Sequence, residues 1–262
     1  MKLIRVIPNH HQIAASNRAL QFGDGHFTTI KVQNHQILLW PYHKKRLLDA
    51  NERLAFPHLD IKRLEKTLQD IAKAQSDAIV KILICRGESQ RGYAFSDDMQ
   101  SVALIYTSDL NEKLFSYPDG IALVSLHTQI ARQPLLAGIK HCNRLEQILI
   151  KKELTDKQQK DGLVFDTDGF LIETSLANIF VQINENWLTP DLSESGVAGV
   201  QRAFTLNKIK NIERRKIHQT EVAAIQAAVI SNALIGWVSV ASIDGRMLNQ
   251  KQSQDFIQGC YA

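Results

Sequence analysis

The sequence predicts a two-part α+β or α/β fold, and three observations carry that expectation. The chain has 262 residues, enough for one large domain or two small ones. Strand-like and helix-like apolar patterns alternate in two successive runs. Between the runs lies a polar stretch, residues 111–120, that holds Pro118 and Gly120 and reads as a linker. The expected division is a smaller N-terminal α+β domain over 1–112, a linker over 113–120 and a larger C-terminal α/β domain over 121–262.

The first half opens with a short apolar segment at 3–7. Residues 27–32 and 37–40 read as a hairpin turned at Gln33-Asn34-His35-Gln36. From Pro41 the period changes, and Leu47, Leu48, Leu54 and Phe56 fit a helix with charged residues on its other face. A second helix covers 61–73. Residues 78–85 and 102–107 read as paired strands joined by the polar loop 86–100. In the second half, 121–126 reads as a strand and 144–154 as a helix. Strands follow at 163–165, 170–173 and 179–183. Asp166-Thr167-Asp168-Gly169 makes a hairpin turn, because Asp and Gly accept the dihedrals it needs. Helices are expected at 200–210 and 220–228, and closing strands around 237–243, turned by Asp244-Gly245.

Composition excludes several classes. Hydrophobic residues make up 44% and charged residues 22%, ordinary for a globular chain. The net charge of +4 is mild, and the one dense basic cluster, Arg214-Arg215-Lys216, is short. Nucleic acid is therefore not an expected partner, and the slight positive bias suits a small anionic substrate. Cys85, Cys142 and Cys260 lack CxxC spacing, which argues against a disulfide framework or a zinc site, so no metal is expected. Neither a signal peptide nor a bilayer-length apolar run is visible, so the expected location is the cytoplasm, with no membrane partner.

Four features could carry chemistry, each with a plainer reading. Lys140 precedes a helix, where a lysine is ordinarily a surface charge; a lysine that forms a Schiff base must be partly shielded. Glu173 ends a strand, where most glutamates are exposed, yet beside a pyridine nitrogen a carboxylate would keep that nitrogen protonated. Gly196-Val197-Ala198-Gly199 leads into a helix at Val200-Gln201-Arg202, a phosphate cradle or simply a turn. It lacks the Gly-Lys-Ser/Thr ending of a Walker loop. Finally, His43-Lys44-Lys45-Arg46 is either a basic helix face or a place where Arg46 grips a phosphate.

Together and in this order, these features resemble the fold-type IV pyridoxal-phosphate (PLP) enzymes. That family holds branched-chain aminotransferases, D-amino-acid aminotransferases and 4-amino-4-deoxychorismate lyases. The resemblance also takes in Arg18 to Thr29, Asn178 with Phe180, and Ser231-Asn232-Ala233-Leu234. Asn17 and Ala19 depart from the family's usual Asp and Gly. The resemblance implies PLP held between two domains and a homodimer. It implies Lys140 as the Schiff-base lysine and Glu173 as partner of the pyridine nitrogen. Arg46, Asn178, Asn232 and the Val200 and Gln201 backbone are implied as further cofactor contacts.

Within the family, Lys140-His141-Cys142-Asn143-Arg144 is similar to the Lys-x-x-Asn-Arg of the lyase branch, and Phe27-Thr28-Thr29 resembles the same branch. That likeness implies elimination of pyruvate from 4-amino-4-deoxychorismate to give 4-aminobenzoate for folate synthesis. Thr28 would move a proton, and Arg144 and Asn143 would contact the substrate. A D-amino-acid or branched-chain aminotransferase, and a PLP-binding protein without catalysis, are the alternative readings.

Overall fold

In a computed structural model of the chain, the structure describes residues 13–89, 92–96, 98–111 and 116–262. The short apolar segment at 3–7 lies outside the described residues, as do the first residues of the expected linker. The chain packs as two units. One holds the residues up to 112 together with Ile139–Asn143, and the other holds 113–138 with Arg144–Ala262.

The first unit begins with a short helix, α1 (Arg18–Phe22). The Asn17 side chain accepts from the Ala19 N–H, and Gly23 ends the helix at φ 65°, a left-handed conformation that glycine adopts freely. Strands β1 (Gly25–Gln33) and β2 (Gln36–Ile37) follow. Asn34 and His35 turn the hairpin at φ 50° and 62°, as a two-residue primed turn requires. The expected second strand at 37–40 is therefore cut to two residues. Leu39 turns left-handed, and helix α2 (Trp40–Arg53) starts at once with Pro41 in its first turn. Helix α3 (Ile61–Ala74) is capped by Asp60, whose carboxylate accepts from the Arg63 N–H.

Strands β3 (Ala78–Cys85) and β4 (Val102–Asp109) complete an antiparallel sheet of order β2-β1-β3-β4. Its buried face, with Ile30, Val32, Val80, Ile82 and Ile84, packs on Leu47, Leu64 and Leu68 from α2 and α3. Each of these leucines is essentially inaccessible, and burial of such a side chain stabilises by roughly 1.5–3 kcal/mol. Residues 139–143 lie along the start of β1. His26 and His141 form an antiparallel bridge, the Phe27 N–H donates to the Lys140 carbonyl, and the Cys142 N–H donates to the Gly25 carbonyl, both at 2.9 Å.

The second unit is a mixed nine-stranded sheet. It comprises β5 (Ile121–Ser125), β6 (Asp161–Phe165), β7 (Leu171–Thr174), β8 (Asn178–Ile183), β9 (Asn186–Pro190), β10 (Ile212–Arg215), β11 (Ala227–Asn232), β12 (Gly236–Ile243) and β13 (Arg246–Met247). The order runs β10-β9-β8-β11-β12-β5-β6-β7, with β13 on β12. Helices α4 (Leu145–Asp156), α5 (Val200–Lys208) and α6 (Gln250–Tyr261) cover it. Strand β8 is buried throughout. Ile179 and Val181 join a core with Leu163 and Ile230, while Phe180 packs with Val229 and Phe256 on the opposite face. Ile150 and Leu154 of α4 cover Val164 and Ile172.

The expected helix at 220–228 is corrected: a 3₁₀ turn, Gln219–Ala224, gives way to β11. Helices α1 and α6 and strands β9 and β10 were not anticipated. Among the described residues, no helix is long and apolar enough to cross a membrane.

Candidate active site

In the first unit the site grows from the pleat of β1. Successive side chains on a strand point to opposite faces, and burial alternates along β1 accordingly. Thr28 and Ile30 face the helices and are fully buried. Phe27 and Thr29 share the other face, opposite Leu83 and Lys81 of β3. Half-buried Lys140 reaches this second face, with its Nζ 4.8 Å from the centre of the Phe27 ring. Lys81 Nζ stands 4.9 Å from the same ring. Asn143 donates to the Gly23 carbonyl at 3.3 Å, tying the end of the lysine segment to the end of α1.

Thr28 is placed differently from the expectation. Its Oγ1 lies 2.6 Å from His43 Nδ1 and 3.4 Å from Arg46 Nη1, under β1. The threonine on the face that Lys140 reaches is Thr29. The alternation of the strand carries that signal, since Ile30 must face the core and Thr28 shares its parity. His43 is fully buried. Burial, and then the neighbouring Arg46 charge, lower its pKa to about 3. His26 bonds Asn51 at 2.7 Å and meets the Phe56 ring edge-on; burial lowers its pKa to about 4.

The start of β1 is fixed by Asp24, whose Oδ2 accepts from Arg18 Nε at 2.7 Å and Arg86 Nε at 2.9 Å. Arg86 also donates to the Ala55 and Leu54 carbonyls and lies over Phe56. The arginines of this network are nearly inaccessible, so the half-buried carboxylate and its two partners act as one bonded group.

In the second unit the expected residues gather at the start of α5. Gly196 adopts φ 78°, and a Cβ there would lie 2.4 Å from Ile172. A Cβ on Gly199 would lie 1.9 Å from Asn178 Oδ1. Both positions therefore need glycine. Asn178 Nδ2 donates to the Val197 carbonyl at 2.9 Å, and Glu173 Oε2 accepts from the Val197 N–H at 3.1 Å. These two expected cofactor residues thus brace the glycine loop. Helix α5 follows with no side-chain cap on its N-terminus, where Val200 and Gln201 stand. Such N–H groups need an acceptor, and the helix dipole favours an anion. Arg202 props α5 from behind, donating to Thr189 Oγ1 at 3.0 Å and the Pro190 carbonyl at 2.8 Å.

Asn232 ends β11 in a turn. Its Oδ1 accepts from the Leu234 and Ile235 N–H groups, and its Nδ2 donates to the Leu176 carbonyl. Its side chain therefore shapes a loop. Arg144 stands at the start of α4 in the second unit, whereas Asn143 belongs to the first.

The folds of the two units are those of the fold-type IV enzymes. The chain belongs to the amino-transferase class IV family, which residues 25–243 match. It is 30% identical to the aminodeoxychorismate lyase of Vibrio harveyi over 90% of this chain and 89% of that protein. It is 21% identical to the D-alanine aminotransferase of Bacillus licheniformis over 88% and 83% of the two chains. Among solved structures, the 4-amino-4-deoxychorismate lyase of Pseudomonas aeruginosa superposes with a TM-score of 0.86 at 30% identity, covering 95% of each chain. The branched-chain amino acid aminotransferase of Escherichia coli shares the fold, with a TM-score of 0.83 at 19% identity over 95% and 88% of the chains.

Proposed function

We propose that this protein is a PLP-dependent lyase that converts 4-amino-4-deoxychorismate to 4-aminobenzoate and pyruvate, a step of folate synthesis. The observation that carries the reading is Lys140, bonded through its backbone to β1 and laid over Phe27 on the face that also bears Thr29. The two lyases similar to this chain across nearly its full length support the same choice.

The residues present fit a phosphate-bearing cofactor. The uncapped start of α5, opened by two positions closed to side chains, offers N–H groups to a phosphate. In the first unit, Arg46 has a guanidinium of the kind that binds a phosphate. Glu173 would hold a proton on the pyridine nitrogen. When bound, PLP supplies an electron sink for the pair left on the amine-bearing carbon.

The chain's own residues do the rest. Lys140 would hold the cofactor through its amine, and the same amine would serve as the base that takes the proton from the amine-bearing carbon of the substrate. The ring contact lets the ammonium rest on an aromatic face when charged. Thr29 would relay that proton from the Lys140 ammonium to the departing ether oxygen, so that the enol of pyruvate leaves, to become pyruvate, and the substrate ring becomes aromatic. Arg144 and Asn143 contact the substrate carboxylates.

The proposal includes a homodimer and a cytoplasmic location. Helix α4 supports the first, since Leu145, Ile148 and Leu149 are 76%, 62% and 59% exposed along one side, an apolar stripe suited to a partner. The decisive experiment supplies enzymatically generated aminodeoxychorismate and measures 4-aminobenzoate and pyruvate. Equal amounts of both, above the spontaneous background, are expected. No product, together with accumulation of pyridoxamine phosphate on adding an amino acid, would establish the aminotransferase reading instead.

A further inference from the structure

We propose that His43 and Thr28 form a buried positioning pair that fixes the guanidinium of Arg46 for the cofactor phosphate. The inference rests on the reading of Arg46 as a phosphate contact, and it gives work to two residues that the proposed reaction leaves unused.

His43 and Arg46 stand three residues apart on α2 and therefore share one side of the helix. Both meet Thr28 of β1. A guanidinium has only donors, so Thr28 Oγ1 accepts from Arg46. The one hydroxyl proton of Thr28 is then left for His43 Nδ1, 2.6 Å away. In the arrangement proposed, Nδ1 presents its lone pair, with the ring proton on Nε2 and the imidazole neutral. All the bonds now point one way, from Arg46 to Thr28 to His43.

A charged imidazole would reverse this order. It would turn Nδ1 into a donor, leave Thr28 accepting from both sides, and set a second cation beside Arg46. Burial, reinforced by the Arg46 charge, keeps the ring neutral, with its pKa lowered to about 3. Thr28 and His43 are wholly inaccessible, so they act through Arg46 rather than on a ligand.

A structural role alone does not account for the histidine. His43 Nε2 is buried and has no hydrogen-bond partner among the described residues. Leaving such a group unsatisfied is unfavourable, and an apolar side chain would fill the same space without that penalty. The bond at Nδ1 is what an apolar side chain could not supply.

The test measures cofactor binding to apoenzyme, with PLP and the phosphate-free pyridoxal titrated side by side. Thr28→Val and His43→Leu should weaken PLP about tenfold, or ~1.4 kcal/mol, and leave pyridoxal unchanged. Thr28→Ser keeps the hydroxyl and His43→Asn keeps an acceptor near Nδ1, so both should bind PLP close to the parent protein. With Arg46→Ala already present, Thr28→Val should add nothing, because the two act through one group. Thr28→Val matches threonine in shape and carries the test should His43→Leu fail to fold. Equal weakening of PLP and pyridoxal, or no difference between Thr28→Val and Thr28→Ser, overturns the proposal. If Arg46→Ala leaves PLP affinity untouched, the phosphate reading itself falls; if Arg46→Ala weakens PLP while Thr28→Val does not, the positioning pair alone falls.

Discussion

Phe27 and Lys140 hold each other twice, once through the Phe27 N–H and the Lys140 carbonyl at 2.9 Å and once through the lysine Nζ and the ring at 4.8 Å. The first contact fixes the lysine backbone on β1, and the second directs its side chain. Phe27→Leu keeps the backbone bond and removes only the aromatic face. A cation on an aromatic ring is worth ~1 kcal/mol, so kcat/KM should fall about fivefold. Lys140→Ala should abolish both product formation and the visible absorption of bound PLP. Persistence of that absorption would mean another lysine anchors the cofactor.

Gly199→Ala would push a methyl group against Asn178 Oδ1, 1.9 Å from where its carbon must sit. The loop must shift, and overpacking of this kind costs about 1–3 kcal/mol. PLP affinity should drop at least tenfold, about 1.4 kcal/mol, with a lowered Tm. Gly245→Ala makes a useful control: Gly245 has a positive φ, unlike Gly199 at φ -64°, and no atom of the described residues lies near its Cβ position. That variant should lose stability and keep its cofactor affinity.

Thr29→Val should lower kcat by about 10²-fold or more, the usual worth of a positioned proton donor, and leave PLP binding intact. Thr28→Val should show the opposite pattern, with weakened cofactor binding and a kcat near normal once saturated. Single-turnover kinetics at saturating PLP separates the two. A kcat loss confined to Thr28→Val would return the proton transfer to that residue.

Acid should unfold the protein early. His26 and His43 have pKa values lowered to about 4 and about 3. Between those values and the ordinary 6.5, the unfolded chain binds protons that the folded chain does not. The stability tied to neutral rings is thus complete above pH 6.5 and is lost as pH falls toward 4. Each histidine steepens the loss by up to about 1.4 kcal/mol per pH unit. Urea midpoints at pH 7.0 and 5.0 should differ, and His26→Gln should narrow the gap. An equal gap in that variant would assign the acid lability elsewhere.

Ile148→Glu on the exposed side of α4 should leave the far-ultraviolet circular dichroism intact. In light scattering it should convert the proposed dimer to a monomer, because a carboxylate buried in an apolar interface is unfavourable. A parent protein that is already monomeric would refute that part of the proposal.

Much of this was legible in the residue pattern. Helices α2 and α3 showed apolar residues at helical spacing, and the short apolar runs of β3 and β4 marked them as strands. Elements governed by distant partners were not legible. The alanines at 223, 224, 227 and 228 favour a helix locally, yet 227–231 pair with β8 and 229–232 with β12. Small residues, buried on both faces, suit that central position better than their propensity suggests. Strand β10, Ile-Glu-Arg-Arg, looks like a surface turn; it is an edge strand, where charge is tolerated and useful. Helix α6 is mostly polar, and only Ser253, Phe256 and Cys260 are buried.

The candidate site divided along the same line. The order of Arg46, Lys140, Glu173 and the glycine loop could be read along the chain. Which of Thr28 and Thr29 faces Lys140 depends on one strand's parity, readable from Ile30 but easily overlooked. The grip of His43 on Thr28 depends on α2 crossing β1, for which no local pattern exists.

The five residues 139–143 pack with the first unit, although the chain on either side of them belongs to the second. A gene cut once therefore yields either a first unit without its lysine or one that drags part of the second along. Exchange of either unit between relatives requires three crossovers, near 112, 138 and 143, not one. Recombination across this family should thus rarely reassort the two units, and the lysine segment should travel with whichever β1 it was fitted to.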